Sequence, residues 1–212
     1  FPHDAIRSKL MKRGGVGYIP PRPEAFPTLE QAQAAMIACG AIPSYPFLDG
    51  LSDGEQHLAD LLERLVAQGM GALTVIPDRN WNLAEARERA AKVAKLHEAL
   101  ALAQALDLPV IVGTEMNKHG QRLLDDFEAE ALRPYYERFI WAADWLYGHT
   151  ALQGAQHIGF GSAWARGWLP QRRERNAFYA RVGRLLTPGR DLLASLPPGA
   201  IESGPGAVLA WI

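Results

Sequence analysis

Two hydrophobic periods alternate through the first half of the chain. Leu58, Leu61, Leu62, Leu65 and Val66 recur at helical spacing, whereas Gly71–Pro77 and Leu108–Gly113 are short apolar runs bounded by Gly and Pro. The pattern predicts a helix over Asp4–Lys12, a strand over Gly15–Ile19, and a helix over Leu29–Ala38 capped by Thr28. An extended run over Ala41–Leu48 follows. Ser52 and Glu55 form a capping-box pair ahead of the Leu58 helix. The strand Gly71–Pro77, a long helix over Leu83–Leu106 and the strand Leu108–Gly113 complete four helix–strand units. Helices alternating with apolar strands predict a parallel sheet covered by helices. Beyond Gly120 the pattern turns helical: Asp125–Tyr147, with Pro134 near its front and His149 at its end, then Arg172–Leu186. Leu196–Gly206 reads as irregular, and Ala207–Ile212 as a candidate fifth strand.

The fold class expected from this is α/β, a partial or distorted (β/α) TIM-type barrel with a helical C-terminal segment. Residues 1–150 form the barrel-like part and 151–212 a helical and irregular segment packing on it. Four units are half of the eight that close a barrel. An open edge on such a half-barrel calls for a homo-oligomer, for cover by the C-terminal segment, or for a missing N-terminal portion. The chain begins with Phe, which leaves a longer parent protein open.

Composition narrows the function classes. Charged residues are 21% and apolar residues 48%, so the chain has the make-up of a folded domain, not of a disordered one. A net charge of −1 gives no global attraction for nucleic acid, although the stretch from Phe160 onward is net positive and holds the cluster Arg172, Arg173 and Arg175. That cluster reads as a solvated helix face. No membrane span or signal peptide is visible, and a single cysteine excludes an internal disulfide and a Cys-rich zinc site. The expected setting is cytoplasmic and the expected partner a small-molecule substrate.

Candidate chemistry follows the strands. Asp49, Asp78 and Glu115 each come just after a strand, and the carboxyl ends of parallel strands share one edge where ligands bind. Three converging carboxylates repel one another, and a divalent cation or basic partners such as Arg79 and Lys118 would relieve them. Asn80, Asn117, Lys118 and His119 lie in the same loops, and His149 sits in Tyr147-Gly-His-Thr150. As a bland alternative, Asp after a strand also serves turns and caps. The strongest single-segment metal motifs, a nucleophile elbow and a Walker loop are all absent.

Asp49-Gly-Leu-Ser-Asp-Gly-Glu55, Ile76-Pro-Asp-Arg-Asn-Trp-Asn82 and Gly113-Thr-Glu-Met-Asn117 resemble the later part of bacterial proteins related to the PHP and amidohydrolase-like metal-dependent hydrolases. Gly120–Phe127 and Tyr147–Thr150 fit the same resemblance. It implies a distorted barrel binding Zn, Mn or Mg at the strand ends, with Glu115 as the family's central glutamate. Asp49 and Asp78 would be ligands or ligand supports. His149 or His119 would carry protons, and Arg79 or Lys118 would clamp an anion, beside Asn80 and Asn117. The implied reaction is hydrolysis of a phosphoester or amide-type bond. The family's opening His-x-His and closing Asp-x-His are not found. A metal-free lyase or isomerase with Glu115 as base, and a degenerate barrel serving as a binding module, stand as alternatives.

Overall fold

The computed structural model describes residues 3–116, 122–189 and 192–212. Its sheet has three parallel strands in the order β1 (Ser44–Phe47), β2 (Ala72–Val75) and β3 (Val110–Val112). Ser44 pairs with Ala72, and Leu73 with Val110. Two short helices precede the sheet, α1 (His3–Leu10) and α2 (Leu29–Ala38). The crossover from β1 to β2 runs through α3 (Leu58–Ala67), and that from β2 to β3 through α4 (Asp78–Trp81) and α5 (Ala86–Ala105). After β3 the described residues are helical or irregular: α6 (Tyr136–Gln156), α7 (Ala163–Trp168), α8 (Arg172–Leu185), α9 (Pro198–Glu202) and α10 (Pro205–Trp211).

Strand alternation sorts the core into two layers, since successive side chains point to opposite faces. Leu73 and Val75 join Phe47, Leu62, Leu96 and Leu100 on the face covered by α3 and α5. Ala72 faces the other way, toward Trp145, Leu152, Phe160 and Tyr179 of the α6–α8 region. Helix α6 serves both cores, with Phe139 in the first and Trp145 in the second. Fully buried leucines such as Leu62 and Leu96 contribute about 1.5–3 kcal/mol each from their removal from water.

The barrel expectation is therefore corrected: the chain is mainly helical around a small open sheet, not a TIM-type barrel. Among the described residues β1 and β3 each pair with one strand, whereas barrel closure needs partners on both edges. The expected strand at Gly15–Ile19 is a turn. Gly17 N–H donates back to the Lys9 carbonyl and Gly15 N–H to that of Lys12, and Val16 and Ile19 stay in solvent. Ala207–Ile212 is not a strand either. Gly204, at φ +91°, reverses the chain and Pro205 opens α10 at a position where its missing N–H costs nothing. Thr28 caps α2 as expected, in a full capping box with Gln31. No helix among the described residues is long and apolar enough to cross a membrane.

Candidate functional site

The loop after β1 is held by a carboxylate from the following turn. Glu55, 2% exposed, accepts the N–H groups of Leu48 (2.7 Å), Asp49 (3.2 Å) and Gly50 (2.8 Å). A buried charge is tolerable only with such donors. The Tyr45 hydroxyl has its pKa pushed up by burial and by the nearby Glu55 charge. Ser52 supplies its half of the expected capping box to Glu55 N–H, but the Glu55 side chain turns to the β1 loop.

Parallel pairing puts the ends of β1, β2 and β3, and so Asp49, Asp78 and Glu115, on one edge of the sheet. Two of the three carboxylates are matched by cations. Lys92 of α5 lies 3.4 Å from Asp49 and 3.0 Å from Glu88, and these anions hold the ammonium above its usual range. Arg79 Nε lies 3.1 Å from Glu115 and joins the β2 and β3 loops; both side chains keep partial contact with water. Asp78 accepts from the Asn82 side-chain amide at 2.8 Å. Asn80 is fully buried, its amide directed to the Ile76 carbonyl at 3.4 Å. Asn117, Lys118 and His119 lie outside the described residues.

Among the described residues no group of three or more His, Cys, Asp and Glu side chains could hold a metal ion. The expectation of a metal-binding protein is corrected to that extent. Asp49 and Glu115 face cationic side chains, which do for their charge what a divalent ion would have done.

A carboxylate that the sequence reading passed over lies beside this edge. Asp125 is 7% exposed, and both its oxygens lack a hydrogen-bond partner. The Trp81 indole N–H and the Asp78 backbone N–H face it, but neither reaches it with hydrogen-bond geometry. Burial, with the Asp78 charge adding to it, raises the Asp125 pKa. Asp125 lines a cleft of about 360 Å³ walled by Ile111, Val112, Phe127, Phe139 and Ile140, with Thr114 at its margin, while its two oxygens themselves are turned out of contact with that space. Above Trp81, the Arg122 guanidinium stacks at 5.3 Å from the ring centroid. The sequence signal that could have found Asp125 is an acid set between Leu123-Leu124 and Phe127, where a solvated loop would place polar residues.

His149 is not brought to this edge. It lies within α6, 6% exposed, and its Nδ1 accepts the Phe160 N–H at 2.9 Å. Phe160 packs near Gly71, at the amino end of β2. Burial lowers the His149 pKa to about 4, so the ring is neutral near pH 7 and acts as an acceptor in the core. The unfolded chain binds this proton more tightly, so stability from His149 is full above its unfolded pKa near 6.5 and is lost as pH falls toward 4. We expect the His149 ring resonances, followed by NMR from pH 8 to 5, to stay at their neutral positions. A midpoint above 6 for His149 would refute the core-acceptor role.

No family model, curated protein or solved structure matches this chain, so the likeness to the hydrolases rests on the short motifs alone.

Proposed function

We propose that the chain is a small-molecule binding module whose site is the cleft at Asp125, and that it takes a ligand with an apolar body and a protonated amine. The observation carrying this reading is the buried Asp125 carboxyl, which the Trp81 and Asp78 N–H groups face without closing a well-formed hydrogen bond to either oxygen. Such a group costs roughly 1–3 kcal/mol or more unless something completes it. An ammonium in the cleft, met by a turn of the Asp125 carboxyl about its side-chain bonds, donates to that carboxylate, and its charge offsets the repulsion from Asp78. The apolar walls suit a hydrocarbon body, and a volume near the lower end of ordinary ligand sites limits it to a compact one. Metal-dependent hydrolysis finds no such support, because Asp49 and Glu115 already face Lys92 and Arg79.

The test compares hexylamine, hexanol and hexanoate at pH 7.5 by NMR titration of wild type, Asp125→Asn and Ile140→Trp. Hexylamine should bind wild type at least ~10-fold tighter than hexanol, and hexanoate should be worst, since ~1.4 kcal/mol of ion pairing already gives that ratio. Asp125→Asn should abolish the preference while keeping hexanol binding, and Ile140→Trp should block both. Because the raised pKa means that Asp125 stabilises the fold below its unfolded pKa and loses that contribution as pH rises through the native value, Asp125→Asn should also melt higher than wild type at pH 7. That gain should shrink toward pH 4. Equal binding of amine and alcohol by wild type would sink the proposal.

A further inference from the structure

The positive cluster that reads as a solvated helix face in the sequence is not one in the fold. Arg172 and Arg175, in the first turn of α8, are only partly exposed, and each is fixed by backbone carbonyls. Arg172 Nη2 donates to Met70 O at 3.1 Å; Arg175 Nη1 donates to Leu169 O at 2.6 Å and to Pro170 O at 3.3 Å. The remaining inward donors, Arg172 Nη1 and Arg175 Nε, are buried and have no partner. The Phe160 ring lies 4.9 Å from the Arg175 guanidinium carbon and orients it. Together with Arg166 of α7 these side chains border a pocket of about 140 Å³ floored by Gly69, Gly71 and Phe160. This is the amino edge of the sheet, opposite the Asp125 cleft.

We propose that this pocket binds a compact tetrahedral oxyanion, a phosphate or a phosphoryl group carried by a small molecule. Three guanidinium groups border one small space, and among the described residues none of them is ion-paired to an acid. The nearby Asp107 pairs instead with Arg173, at 3.1 Å. The guanidiniums repel one another: the Arg175 charge weighs on Arg172 and the Arg166 charge on Arg175, and burial adds to both. An oxyanion removes this repulsion and accepts from the guanidinium groups that line the pocket, for which the fork of Arg is well shaped. The positive end of the α8 dipole adds to the same field. A space of about 140 Å³ has room for one oxyanion and a few waters.

Isothermal titration calorimetry with inorganic phosphate, glycerol phosphate and acetate, at fixed ionic strength set with chloride, tests this. Wild type should bind phosphate in the millimolar range or tighter and acetate at least ~10-fold more weakly. Arg166→Gln, at an exposed residue whose side chain makes no hydrogen bond or ion pair among the described residues, should weaken phosphate by several-fold. Arg175→Lys, which keeps charge but loses the fork, should weaken it by at least ~10-fold. Glycerol phosphate matching phosphate identifies a phosphoryl group on a carrier; phosphate alone identifies the free ion. No binding up to ~10 mM phosphate, or wild-type affinity in Arg166→Gln, would overturn the proposal.

Discussion

Gly148→Ala is expected to lower the melting temperature by about 6–12 °C or to prevent folding. Gly148 of α6 and Gly183 of α8 face each other where these helices cross, in the most extensive helix–helix contact of the fold. A Cβ at Gly148 would overlap the Tyr179 carbonyl oxygen and stand 2.8 Å from Gly183 N. The obstruction is backbone on a neighbouring helix, so no rotamer change relieves it and α8 must move away. That movement opens the packing of Trp145, Phe178 and Tyr179 on the second core. Overpacking usually costs ~1–3 kcal/mol, and a backbone obstacle puts this case at about 3 kcal/mol or above. For a chain of this size each kcal/mol shifts the midpoint by ~2–4 °C. Gly154→Ala, on the same helix, is the control: a Cβ there meets nothing within 4 Å, and the change should stabilise by about 0.5–1 kcal/mol. Thermal melts followed by circular dichroism check both. A Gly148→Ala midpoint within ~2 °C of wild type, less than one kcal/mol at this size, would show that the helices separate freely.

This contact also explains where the sequence misled. Gly148 in Tyr147-Gly-His-Thr150 suggests a helix end, because glycine commonly terminates helices. The helix instead runs on to Gln156, and the glycine serves close approach of a partner that only the fold reveals. The three strands that form have local support on both sides: a capped or amphipathic helix and a Gly or Pro stop. Gly15–Ile19 has the strand-like residues but no neighbour to pair with, and its backbone donors return to α1. Helix–strand alternation is a local property, equally compatible with an open sheet and a barrel. Closure depends on strands beyond β3, and the residues after β3 carry helical periods. The helical periodicity of 125–147 was legible only in its second half: residues 125–132 form turns and loop, and α6 begins at Tyr136, after the turn Arg133–Tyr135 that holds Pro134.

At the candidate site, the shared edge of Asp49, Asp78 and Glu115 was legible because parallel strands leave no choice of edge. Their charge partners were legible only in part. Arg79 is a near neighbour in sequence of the β2 acid yet pairs with the β3 one. Lys92 reaches Asp49 from two turns into α5, a distance in sequence that carries no local signal. Asp125 was missed because two adjacent acids look solvated even beside Leu123, Leu124 and Phe127. Only the packing of Phe127 and Phe139 around it shows that one of the two acids is buried. The Arg172–Arg175 pair was hidden in the same way. Spacing of three residues marks one helix face, but not whether that face meets water or the end of a sheet.

Glu55→Gln is the second change expected to have a large effect, about 3–5 kcal/mol of lost stability and a melting temperature lower by roughly 10 °C. The carboxylate accepts three successive backbone N–H groups at a buried position. An amide supplies one oxygen, and its NH₂ faces a donor where an acceptor is needed. Hydrogen bonds to a charged acceptor are worth ~1.5–3 kcal/mol each, and at least one buried N–H is orphaned as well. Gly50 takes φ +76° to present its N–H, a conformation that leaves the loop no cheap alternative arrangement. The contrast is Glu85→Gln at the start of α5. Glu85 also accepts two backbone N–H groups, from Arg87 and Glu88, but it stands in water, which replaces what the carboxylate loses. Its melting temperature should move far less. Amide hydrogen exchange distinguishes the intended cause from general destabilisation. In Glu55→Gln the amides of Leu48, Asp49 and Gly50 should lose protection before those of β2, and with them the hold on Asp49 opposite Lys92. Protection of all three equal to wild type, in a protein that melts normally, would mean that water reaches the loop and that the carboxylate is not what closes the β1 end of the sheet.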